Sequence, residues 1–187
     1  MDIDIKDEIR DVSHALAKRV GLLKRPSLAR RVLSGVAAGA VGTSALNLVT
    51  YVDMAIRARP ASETPEEAVR KLEDRAGINA LSDEGRSSEQ EQNRRQAFGA
   101  LMGFVTGLGI GALYGLIRPS VRSIPVALAG LGAGLAALAG SDVRATLLGA
   151  TDPKEWAPKD WVADLVPHLA YGFTTAVAFD ALTGPYD

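Results

Sequence analysis

Hydrophobic and polar positions in this chain fall in blocks rather than alternating. Charged side chains crowd residues 1–31, 57–95 and 142–164, and the stretches between them carry almost none. Val32 to Val52 is 21 residues without a charge, Gln96 to Ile117 is 22, and Ser123 to Ser141 is 19. A helix needs roughly 20 apolar residues to cross about 30 Å of hydrocarbon. Soluble chains place charges every few residues, so three such runs predict membrane-spanning helices. Asp160 to Leu182 predicts a fourth. Its uncharged centre, Leu165 to Phe179, is 15 residues long. Trp156 and Trp161 precede it, where an interfacial aromatic belt sits, and Pro167 lies near its start, where proline is best tolerated.

The fold class expected is therefore all-α: an integral membrane bundle of four transmembrane helices with an amphipathic N-terminal helix. The spans cover about 32–56, 96–117, 123–141 and 160–182 of a membrane domain running from 32 to 182, with a polar loop at 57–95. Residues 1–31 form a separate, membrane-proximal segment.

Within the second span, "GALMGFVTGLGIGALYG" repeats glycine at every fourth position: Gly99, Gly103, Gly107, Gly111 and Gly115. In water each would cost a helix roughly 1 kcal/mol relative to alanine. In lipid the backbone must satisfy itself as a helix, and glycines four apart form a groove that a second backbone can enter closely. At 1.5 Å per residue the groove is about 24 Å long. Gly35 and Gly39 in the first span, and Gly130 and Gly134 in the third, repeat the pattern in shorter form. These nine glycines are the expected helix-packing positions, facing a helix of the same chain or of a neighbour.

The polar blocks add two amphipathic elements. Ile5, Ile9, Val12, Leu16, Val20 and Leu23 recur at steps of three and four, the stripe of a helix that lies on a surface or a partner. It starts acidic and ends basic, in keeping with the helix dipole. The basic run Lys24, Arg25, Arg30, Arg31 leads into the first span as a cytoplasmic anchor would. In the 57–95 loop, Thr64 is the expected N-cap of a short helix, with Pro65 at its first position, Glu67 closing a capping box and Gly77 ending it. Residues 82–95 are polar without periodicity and are expected to be flexible. Four spans put both termini on one side, here the cytoplasmic.

Composition removes several function classes. There are 21 basic and 22 acidic residues, for a net charge of -1, so no global field selects nucleic acid. The chain has no cysteine and two histidines, His14 and His168, far apart in sequence. Thiolate chemistry and a histidine-rich metal site are both out of reach. No serine–histidine–acid spacing and no P-loop occurs. "GLGIGALYG" has G-x-G-x-x-x-G rather than a dinucleotide fingerprint. The expectation is a non-enzyme with no cofactor and no metal.

The polar residues inside or beside the spans form a candidate site. Asn47, Tyr51, Asp53 and Arg57 close the first span; His168, Tyr171 and Asp180 belong to the fourth. Asn47 and Tyr51 share a face, as do Asp53 and Arg57. Ionisable groups in lipid are costly and mark ion or proton paths when they face a bundle interior. The competing reading places Asp53, Arg57 and Asp180 at headgroup level as anchors, with His168 hydrogen-bonded near Asp164.

The stretches "NLVTYVDMAIRARPAS" and "PHLAYGFTTAVAFD" resemble uncharacterised actinobacterial membrane proteins and, more distantly, the YagU-like bacterial inner-membrane proteins. The element carrying the resemblance is His168, Leu169, Tyr171 and Gly172 in the last span. It implies a multi-span helical protein of a bacterial plasma membrane and no reaction. The function expected from residues and resemblance together is a scaffold or assembly subunit. It would sit in the lipid bilayer and pack through its glycine-lined faces against other membrane subunits or a second copy. The alternative is a small proton, ion or small-solute transporter or channel using the candidate site.

Overall fold

The structure, a computed structural model, describes residues 27–78, 81 and 87–184, together with Val12. Apart from Val12, which is helical and exposed, the amphipathic segment expected at the N-terminus lies outside the described residues. Among the described residues the secondary structure is entirely helical: α1 (Leu28–Arg57), α2 (Thr64–Ala76), α3 (Ser88–Ile117), α4 (Val126–Leu148) and α5 (Pro158–Thr183). Single 3₁₀ turns follow α3 (Arg118–Ser120) and precede α5 (Pro153–Glu155).

Four of the helices, all but α2, are long and apolar enough to cross a membrane, and only 17–33% of each apolar window is buried inside the chain. Leu33, Leu48, Ile56, Val105, Leu113, Leu128, Leu147 and Val177 all point outward. A soluble protein cannot leave so much of its apolar surface in water; a bilayer accepts it.

The helices extend past the charge-free runs that predicted them. α1 begins four residues earlier, where Ser27 accepts from the Arg30 amide at 3.2 Å. α3 begins at Ser88, not 96. Its first two turns are the polar residues expected to be flexible, secured by a capping box between Ser87 and Gln90. α4 starts only after Pro125 and continues through Asp142 and Arg144 to Leu148, where Gly149 (φ 77°) closes it. In each case backbone hydrogen bonding continues into the polar end after the apolar side chains stop. α2 also starts differently. Glu63 is its N-cap and has no side-chain cap bond, so Thr64 is already helical. Glu67 instead accepts from Arg70 Nε at 2.8 Å. Gly77 (φ 64°) ends the helix as expected.

α1 is the central helix, antiparallel to α3 on one side and to α5 on the other, and α5 in turn packs on α4. α3 and α4 touch only lightly. α2 lies across the end of the bundle where α3 begins and α4 finishes. Pro65 abuts Gly99, Arg95 reaches Glu73 at 3.0 Å, and Arg75 donates to the main-chain oxygen of Leu147 at 2.7 Å. The core is narrow and made mostly of small residues. Its largest fully buried side chains, Tyr171, Phe179 and Thr175, all come from α5.

Candidate functional site

Two seams of glycine hold the spans together. On the first, a methyl group added at Gly35 would strike the backbone of Gly111, one at Gly39 would lie 2.6 Å from the Gly107 oxygen, and one at Gly115 would strike the Arg31 oxygen. On the second, one at Gly134 would lie 2.7 Å from the His168 oxygen, and one at Gly130 would lie 3.0 Å from Phe173 Cα. Gly172 and Gly42, not among the nine expected positions, are equally confined, against α4 and against Tyr171 and Thr175. These distances leave no space for any side chain, so each seam depends on hydrogen at Cα.

Gly103 departs from the expectation. It is exposed, and no atom of the chain lies within 4 Å of where its Cβ would be. Close approach is confined to part of α3. α1 meets α3 from Gly107 onward, α2 meets it at Gly99, and the turn between faces outward. The unbroken 24 Å groove is therefore two separate contacts.

The seams let larger groups bridge helices that do not themselves touch closely. Tyr171 donates to the Gly107 oxygen at 2.6 Å, and Phe179 meets Tyr114 edge-on at 5.5 Å between ring centroids. Thr43 returns its hydroxyl to the Gly39 oxygen of its own helix at 2.8 Å.

The polar residues singled out in sequence do not converge. Asp53 pairs with Arg57, and with Arg59 at 2.6 Å, at the end of α1 beside α2. Asp180 is at the opposite end of the bundle, 3.0 Å from Arg118. Arg118, only 6% exposed, also donates to Ile124 at 2.9 Å and Val121 at 3.2 Å, tying the α3–α4 turn to the end of α5. Tyr51 is exposed and Asn47 half-buried, so neither joins Tyr171 in the core. Of the seven candidates, only His168 and Tyr171 sit together on one buried stretch of helix.

Around His168 the structure assembles a group that sequence spacing did not reveal. Its Nδ1 is 2.8 Å from the Asp164 main-chain oxygen and 3.3 Å from the Asp164 carboxylate. Asp142 of α4 faces the same carboxylate and the imidazole across the second seam. Asp164 Oδ2 is buried without a hydrogen-bond partner. No signal in the sequence links Asp142 with Asp164, because their proximity depends on the register between α4 and α5. Among the described residues no group of three or more acidic or histidine side chains is arranged to hold a metal ion.

Compared with known proteins, the chain matches no family, no curated protein and no solved structure.

Proposed function

We propose that this chain is an interaction or assembly subunit of a bacterial plasma membrane, docking a neighbouring transmembrane helix on the outer face of α4. The observation that carries the reading is that α4 has small residues on two faces. Gly130, Ala133, Gly134 and Ala137 are buried against α5. Gly132, Ala136 and Gly140, four residues apart, lie exposed on the other side. Nothing lies within 4 Å of a Cβ at Gly132, and only Ile110 approaches one at Gly140. A helix face meant for lipid alone gains more from leucine than from glycine. A small-residue face at this spacing lets a second backbone approach. The glycines of α3, by contrast, are largely occupied within the chain. The partner is another membrane subunit or a second copy.

Crosslinking in intact membranes, followed by purification in mild detergent, tests the proposal. Gly132→Leu and Ala136→Leu are expected to keep the fold and lose the captured neighbour. A wild-type chain that purifies alone, as a monomer, overturns the proposal.

A second reading, a proton-conducting protein, is favoured by the Asp142, Asp164 and His168 group. Its test is pH-driven flux in reconstituted vesicles, lost in His168→Ala on this reading and absent from the wild type on the first.

A further inference from the structure

Where α3 and α4 part at the α2 end, they leave an open groove of about 590 Å³. Its walls include Leu72 from α2, Met102 from α3, and Gly140, Val143 and Leu147 from α4, and almost all of its surface is apolar. The exception is Arg144, which also lines it. Arg144 donates to Thr106 Oγ1 at 2.7 Å, and its Nε is buried with no partner. Close by, Arg75 reaches the Leu147 oxygen at 2.7 Å. Among the described residues neither guanidinium is paired with a carboxylate.

A guanidinium in or beside hydrocarbon is costly unless an anion or a set of acceptors satisfies it. The groove opens outward, toward what is lipid in a membrane-embedded chain, and its apolar walls match an acyl chain. The two unpaired cations match a phosphate, and basic pockets between membrane helices select anionic headgroups. We infer that this groove binds one anionic phospholipid, an acyl chain lying along Met102, Val143 and Ala139 and the phosphate held at the α2 end by Arg75 and Arg144. The bound lipid completes the weak α3–α4 contact.

The full-length protein, purified in mild detergent, is mixed with phosphatidylglycerol or with phosphatidylcholine of identical acyl chains, and retained lipid is counted by native mass spectrometry. The expected result is one phosphatidylglycerol per chain, preferred over phosphatidylcholine by about tenfold or more, with two guanidiniums drawing the anion. Arg75→Gln combined with Arg144→Gln is expected to erase the preference, and Ala139→Phe, which fills the groove and leaves both cations, to lower retention of both lipids. Equal retention of the two lipids by the wild type overturns the inference. So does an unchanged preference in a folded double variant, or, if that variant fails to fold, unchanged retention in Ala139→Phe. None of these outcomes bears on the partner face at Gly132 and Ala136, which is read from protein capture.

Discussion

The phenol of Tyr171 donates to the main-chain oxygen of Gly107 at 2.6 Å, joining α5 to α3 across α1. The bond exists because Gly107 has no side chain to cover its own carbonyl and because Gly42, on α1, leaves room for the ring. Tyr171→Phe keeps the ring and removes the bond. The Gly107 oxygen keeps its helical partner, so the expected loss is about 1 kcal/mol, the usual net value of one hydrogen bond, read as a lower thermal midpoint in detergent.

Gly111 and Gly103 occupy the same helix eight residues apart and should behave in opposite ways. A Cβ at Gly111 would lie 2.6 Å from Gly39 Cα, with backbone rather than a movable side chain in its path, while one at Gly103 meets nothing within 4 Å. Gly111→Leu is expected to abolish the folded bundle. Gly103→Leu is expected to stay within about 0.5 kcal/mol of the parent, as surface changes do. Monodispersity on a sizing column and thermal melts separate the two.

The two charged clusters at the bundle ends also differ in worth. Arg118 is buried and would lose its carboxylate in Asp180→Ala. Asp180 is itself partly exposed, so the expected cost is about 1–3 kcal/mol, below that of a fully buried pair. Asp53→Ala removes a carboxylate shared by two solvent-facing guanidiniums, Arg57 and Arg59, and is expected to cost clearly less than Asp180→Ala. Thermal unfolding of the two variants checks the order.

On α2 the Arg70 guanidinium beside Glu67 holds its carboxyl below the usual carboxylate range. A depressed acid contributes stability above its unfolded value and loses it as pH falls through the folded one. The end of α2 near Pro65 is therefore expected to loosen as pH drops below about 4, the ordinary glutamate value. Glu67→Gln should remove that part of the acid response, seen in the α2 amide chemical shifts.

The spans were legible because a bilayer imposes a coarse requirement, some 20 apolar residues without a charge, that composition alone reveals. The ends were less so. Glu89 and Arg95 read as loop, yet they belong to α3, because a helix continues wherever its backbone is capped and not only where it is apolar. Gly35, Gly39, Gly130 and Gly134 were visible from spacing, whereas Gly103 shares that spacing and faces outward. Periodicity says which residues share a face but not how far along it the neighbour stays. Asp142 beside Asp164, and Arg118 beside Asp180, depend on the register between separate helices, which a single sequence does not contain.

If α1, α3, α4 and α5 each cross the bilayer, Ala61 and Lys154 lie on one side and Ser123 in the α3–α4 turn lies on the other. The chain has no cysteine, so single cysteines at Ala61, Lys154 and Ser123 are unique labels. In sealed vesicles a membrane-impermeant maleimide is expected to label Ala61→Cys and Lys154→Cys from the same side and Ser123→Cys only from the opposite side. Labelling of all three from one side, in vesicles shown to be sealed, contradicts the four crossings.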